Sequence, residues 1–134
     1  MNRYKISLGI VALFLITVSS GFDHSLSGGP LKDRESLKNG LKLFKVKCAV
    51  CHGEKGEGSV GPNLTDRFWI HGPKFEDIVR IINEGNVAKG MIGFEGKLTH
   101  FEIREVASFV YLLRTTNPPD QKKPEGKEWK PESH

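Results

Sequence analysis

Cys48-Ala49-Val50-Cys51-His52 constrains this chain more than any other stretch. The pattern is C-x-x-C-H, two thiols three positions apart followed at once by a histidine. Each thiol can add to one of the two vinyl groups of a haem and form a thioether. The adjacent histidine is then forced under the porphyrin face, where an imidazole nitrogen can bind the iron. Redox dithiols and zinc sites also use C-x-x-C. A redox dithiol calls for a βαβ setting, and the chain has few strand-like runs. A structural zinc site calls for four ligands, usually from two such pairs. Here there are two cysteines in all, and the remaining histidines are scattered. The motif therefore predicts one covalently attached haem c with its iron, and leaves no cysteine for a disulfide framework.

The 134 residues suggest one domain with tails. Residues 1–22 read as an export signal or an N-terminal anchor. Arg3 and Lys5 precede an uncharged run from Ile6 to Val18, and Ser19-Ser20-Gly21 offers small residues for cleavage. Ile6 to Phe22 is marginally long enough to span a bilayer. Residues 23–30 form a polar linker with His24 in solvent, residues 31–116 the domain, and residues 117–134 a flexible tail rich in Pro, Lys and Glu. The formal charge of +4 falls to +2 without Arg3 and Lys5, because the first twenty residues carry no acid. Two haem propionates would bring it near zero. No basic stripe is interleaved with aromatics, so nucleic acid is not a partner.

Helical periodicity organises the domain. Leu31 to Lys47 reads as a helix leading into the motif, with Leu37, Leu41, Phe44 and Cys48 on one face. Gly40 inside it costs about 1 kcal/mol relative to Ala, which the close approach of another helix would offset. Gly53 to Gly61 is a glycine-rich loop without the Gly-Lys-Ser/Thr ending of a phosphate-binding loop, and it suits a chain wrapping a haem edge. In Gly61-Pro62-Asn63-Leu64, the Pro62 carbonyl is a candidate acceptor for the second ring N–H of His52. Phe75, Ile78, Val79 and Ile82 predict a helix that stops at Gly85. His71 before it reads as a loop histidine with polar partners. Met91, in Gly90-Met91-Ile92-Gly93, is the one methionine outside the export segment. Its thioether is a soft ligand that suits haem iron. Thr99-x-x-Glu102 is a capping box, and Ile103, Val106, Ala107, Val110 and Leu113 give the last helix a broad apolar face. Tyr111 falls near that face, in position to pack on Gly40 and Phe44. Asn117-Pro118-Pro119 stops the helix, and Trp129 is a docking point for the domain itself or for a partner.

Taken together, the Gly40/Phe44 helix, Cys48-x-x-Cys51-His52-Gly53, Gly61-Pro62-Asn63-Leu64, the Met91 loop and the Val106–Leu113 helix resemble a class I cytochrome c domain over Leu37 to Leu113. The resemblance implies an all-α fold of three to five short helices wrapped around one covalent haem, with the first and last helices crossing near Gly40 and Tyr111. It implies His52 and Met91 as iron ligands, the Pro62 carbonyl as acceptor for His52, and Cys48, Cys51, Pro62 and Leu64 as further haem-binding residues, with no catalytic residue. Gly61-Pro-Asn-Leu-Thr-Asp, Trp69-Ile-His-Gly, Lys89-Gly-Met and the tail from Asn117-Pro-Pro to Pro124-Glu-Gly look like the haem c domains of subunit III of cbb-type cytochrome oxidases. That subunit is dihaem, whereas this sequence has one C-x-x-C-H, and Met91 is followed by Ile92 where many relatives have Pro.

These features imply a periplasmic single-electron carrier, free or tethered to the cytoplasmic membrane through its N-terminus. It would work to or within a cbb-type terminal oxidase, with a quinol-oxidising complex as another candidate partner. The alternatives are a haem-based sensor or enzyme in which a small ligand displaces Met91, and a structural haem subunit of a larger complex. No distal acid–base pair is evident for peroxidase chemistry.

Overall fold

The computed structural model describes residues 28–130. The export segment, most of the expected linker with His24, and residues 131–134 lie outside the described residues. Four helices carry the fold: α1 (Arg34–Lys47), α2 (Ala49–His52), α3 (Phe75–Glu84) and α4 (His100–Leu113). A 3₁₀ turn spans Val87–Lys89, and a two-residue antiparallel ribbon pairs β1 (Phe68–Trp69) with β2 (Lys127–Glu128). The architecture is mostly helical, as the motif set implies.

α1 starts at Arg34, three residues later than the periodicity predicts. Asp33 is the reason, because its carboxylate accepts a hydrogen bond from the Ser36 N–H at 2.9 Å and caps the first turn. Leu31 stays outside the helix, and its N–H donates to Ser108 Oγ on α4 at 2.9 Å. The buried stripe of α1 is Ser36, Gly40 and Phe44, whereas Leu37 and Leu41 are half-buried. Small residues take two of these three buried positions because α4 comes so close. A Cβ on Gly40 would collide with the Glu105 backbone carbonyl and lie 3.1 Å from Phe109 Cβ. The crossing is therefore at Glu105 and Phe109, not at Tyr111. Residues 105 and 109 share one helix face, whereas Tyr111 turns away and meets Phe75 edge-on at 6.0 Å. Phe109 takes the place expected of Tyr111 against Phe44, with ring centroids 5.3 Å apart.

The Thr99 capping box forms in full: the Thr99 hydroxyl accepts from the Glu102 N–H, and the Glu102 carboxylate accepts from the Thr99 N–H. Ile103, Val106, Ala107 and Val110 of α4 pack on Phe44 and on Phe75, Ile78, Val79 and Ile82 of α3 to form one core. Gly85 ends α3 at φ +74°, a conformation that suits glycine.

The stretch after α4 departs from the flexible tail expected of it, at least to Lys130. It adds little apolar core, yet it is fastened at several points. Lys122 N–H donates to the Glu57 carbonyl at 2.9 Å, β2 pairs with β1, and Trp129 N–H donates to the Arg67 carbonyl at 2.7 Å. The Arg114 guanidinium lies over both the Tyr111 ring, at 3.5 Å, and the Trp129 ring, at 4.4 Å. Trp129 thus docks on its own domain. No helix among the described residues is long and apolar enough to cross a membrane.

Candidate functional site

α1 runs directly into α2 at Cys48, whose N–H still donates to the Phe44 carbonyl at 2.8 Å. The core residue Phe44 thereby fixes where the motif begins. One turn on, the His52 N–H donates to the Cys48 carbonyl at 3.0 Å. Cys48, His52, Pro62, Leu64 and Met91 all line one apolar cleft. Cys51 is half-buried and stands outside that lining, with its carbonyl accepting from the Gly61 N–H at 2.8 Å.

The two thiols are free. Burial, with a smaller contribution from the neighbouring Cys51, pushes the Cys48 thiol up to about 11. A reactive dithiol needs the opposite, a thiol drawn down toward neutrality. No group of three or more His, Cys, Asp or Glu side chains capable of holding a metal ion occurs among the described residues.

His52 is oriented from behind. Its Nδ1 lies 2.9 Å from the Pro62 carbonyl. A carbonyl only accepts, so Nδ1 carries the proton and Nε2 keeps its lone pair. Burial lowers the pKa of His52, the Pro62 carbonyl opposes that, and the positive charge of Lys122 adds to it. The ring is thus held as a neutral imidazole with one nitrogen available to a metal. Gly61 makes this geometry possible, since a Cβ there would stand 2.9 Å from His52 Cε1.

Met91 reaches the cleft from a loop hung on the end of α3. Phe94 N–H donates to the Ile82 carbonyl and Glu95 N–H to the Asn83 carbonyl, both at 3.0 Å. Asn86 and Met91 form an isolated antiparallel bridge, with the Asn86 N–H donating at 2.8 Å and the Met91 N–H at 3.0 Å. Gly93 lets the loop lie against α3, because a Cβ there would meet the Asn83 carbonyl oxygen at 2.7 Å.

The lining fits a haem. It is largely apolar, it carries both motif residues that face inward, and it includes Ile78, Ile82 and Val110 from the core. Trp69 adds a further sign. Its Nε1 is buried and has no hydrogen-bond partner among the described residues. Such an N–H costs about 1–3 kcal/mol unless an acceptor is supplied, and a haem propionate carries carboxylate oxygens. In the sequence Trp69 stands out only within Trp69-Ile-His-Gly, one of the stretches that resemble the cbb-type subunit, and that resemblance is the available signal. His71 also lines the cleft, with Nε2 3.3 Å from the Asn86 side-chain nitrogen, the polar partner expected of it.

Asn63 was not singled out by the sequence, yet it organises the loop after the motif. Buried itself, it accepts from the Thr65 N–H at 2.8 Å and the Thr65 hydroxyl at 2.6 Å. Its amide donates to Asp66 and to Gln121, each at 2.9 Å.

Residues 35–110 match the family model described as cytochrome c oxidase, cbb3-type, subunit III. The chain belongs to this family. It is similar to the cbb3-type cytochrome c oxidase subunit FixP of Bradyrhizobium diazoefficiens, with 33% identity over 74% of this chain and 34% of that protein. It is also similar to cytochrome c-L of Methylorubrum extorquens, with 31% identity over 63% of this chain and 44% of that one. Among solved structures, cytochrome cL of Methylophaga aminisulfidivorans superposes with a TM-score of 0.61 at 27% identity, covering 68% of this chain and 63% of that chain. The chain spans about a third of the length of the FixP proteins it matches. The fold of this subunit III relative is that of a class I cytochrome c, and the cofactor that goes with it is a covalently attached haem c with its iron.

Proposed function

We propose that this chain carries single electrons on one haem c in a respiratory chain ending at a cbb-type terminal oxidase, as a carrier and not a catalyst. The observation that carries the reading is His52, with Nδ1 committed to Pro62 and Nε2 left free, sharing one apolar cleft with Met91. Bound there, the haem iron supplies one-electron chemistry between its ferrous and ferric states.

The chain's own residues set the conditions. Cys48 and Cys51 tether the group, and His52 and Met91 provide nitrogen and thioether ligands, a pair that raises the reduction potential. Leu64, Ile78 and Val110 keep water from the cleft, which further disfavours the more highly charged oxidised state. Exposed Lys45, Lys47, Lys89 and Lys97 are placed to steer an acidic partner. Several relatives are named as subunits of a cbb3-type oxidase, which supports such an oxidase as the partner. A quinol-oxidising complex is the corresponding donor. The charge-then-apolar order of residues 1–18 supports a periplasmic location, with or without a membrane tether.

A mixing experiment tests this. The reduced holoprotein is added to membranes from its own source under oxygen, and the ferrous haem c band is followed. Fast, cyanide-sensitive loss is the expected result. A stable band would remove the oxidase as acceptor, and absence of any haem band would overturn the whole reading. In an anaerobic redox titration Met91→Ala should show a lowered potential, and its reduced form should bind carbon monoxide; an unchanged potential would remove Met91 as a ligand.

A further inference from the structure

The stretch that follows α4 returns to the back of the proposed iron-binding histidine, and Lys122 is where it does so. The Lys122 ammonium donates to the carbonyls of Val60, at 3.3 Å, and Gly61, at 3.2 Å. Gly61 is the residue whose backbone lies against the His52 ring, and the next carbonyl along, that of Pro62, receives the His52 Nδ1 proton. The Lys122 backbone N–H is bonded to Glu57 in the same loop, at 2.9 Å. Gly58 leaves room for this approach, since a Cβ there would stand 2.8 Å from Lys122 Cβ. Neighbouring Gln121 takes the Asn63 amide. Lys122 is partly shielded, with its side chain 33% exposed, and its ammonium is paired with Glu125 at 2.8 Å.

We propose that Lys122 is a positioning residue that clamps the Val60–Gly61 turn behind His52 and holds a positive charge there, with Glu125 offsetting part of that charge, so that the pair sets the haem reduction potential. The inference rests on His52 being an iron ligand. Its physics is simple. A fixed positive charge near the iron disfavours the ferric state, which carries one more positive charge than the ferrous state, and so raises the potential. Outer-shell partners of a ligating histidine are a recognised means of such tuning. The pair is only partly buried, so the effect is screened by salt and is largest at low ionic strength.

The pair gives the test a sign that a merely structural role lacks. Lys122→Gln removes the positive charge and should lower the midpoint potential. Glu125→Gln exposes that charge and should raise it. Lys122→Arg keeps the charge and should stay close to wild type. The strap itself remains fastened in all three through the Lys122 N–H, β2 and Trp129. The measurement is a redox titration of each holoprotein at low and at high salt, with the haem c absorption spectrum as control. Opposite shifts that shrink in high salt are the expected result. Shifts of the same sign, or unchanged potentials with a native spectrum, would overturn the inference and leave His52 as ligand untouched. A wild-type protein without a haem c spectrum would instead overturn the reading of the site, and this inference with it.

Discussion

The α1–α4 crossing and the loop after His52 both close around glycine, but different forces hold them. At the crossing, Gly40 lets two helices approach until Glu105 and Phe109 touch α1, and Phe44, Ile103 and Val106 fill the surrounding space. Burial of apolar area is the main stabilising term there, worth about 1.5–3 kcal/mol for each large side chain. In the loop the buried residues are polar: Asn63, Thr65 and Asp66. They stay buried because each is hydrogen-bonded, Asn63 to Thr65, Asp66, Gln121 and the Lys122 carbonyl. The first region resists changes of volume. The second resists loss of a donor or an acceptor, because one missing partner leaves several groups unsatisfied. His52 stands at the junction, with its backbone carried on from the crossing and its ring oriented by the loop.

The largest effect is expected at Gly40. Gly40→Val drives side-chain carbon into the Glu105 backbone carbonyl, which cannot rotate aside. A loss of about 3 kcal/mol is expected, read from the guanidinium unfolding midpoint of the holoprotein. An effect below 1 kcal/mol would mean that the helices can part at little cost. A smaller effect is expected from Asn63→Ala, about 2 kcal/mol, because Thr65 and Asp66 keep their burial and lose their partner. Only this second variant should also disturb the potential, since the loop carries Pro62. Should Gly40→Val shift the potential as much as Asn63→Ala, the division between the two regions would fail.

The smallest effect concerns pH at the two helix starts. Hydrogen bonds from Ser36 lower the Asp33 pKa below its usual 3.8, and those from Thr99 lower Glu102 below 4.5. Each carboxylate is thus bound more favourably in the folded state than in the unfolded one. Its contribution is complete above the usual value and is withdrawn as pH falls through the lowered one. The melting temperature should therefore decline modestly below about pH 4.5, and Thr99→Ala should flatten part of that decline. An unchanged slope in Thr99→Ala would assign the acid sensitivity elsewhere.

Much of the proposed site was legible because it is written locally. C-x-x-C-H fixes three residues within one turn, the Pro62 carbonyl follows ten residues later, and Met91 has no rival outside the first residue of the chain. The Thr99 box and the Gly85 stop are local in the same way. Two features were not legible, for different reasons. Apolar periodicity ranks Leu37 and Leu41 above Ser36, because it counts hydrophobicity; Gly40 is legible only through its cost inside a helix, which points to a close neighbour without saying that Glu105 and Phe109 supply it. The strap after α4 has the composition of a solvated tail, and what fastens it is a set of polar bonds such as Asn63 to Gln121, 58 residues apart. Such pairings leave no periodic trace.

The crossing also joins residues that lie far apart in the chain. Asn39 donates to Glu105 from 66 residues away, and Leu31 to Ser108 from 77. Contacts of that separation raise the contact order, and contact order slows folding. The cost of closing so long a loop grows slowly, by about 0.6 kcal/mol for each doubling of its length. The stretch between the two helices can therefore lengthen or shorten at its exposed turns with little thermodynamic penalty, provided the two ends still meet.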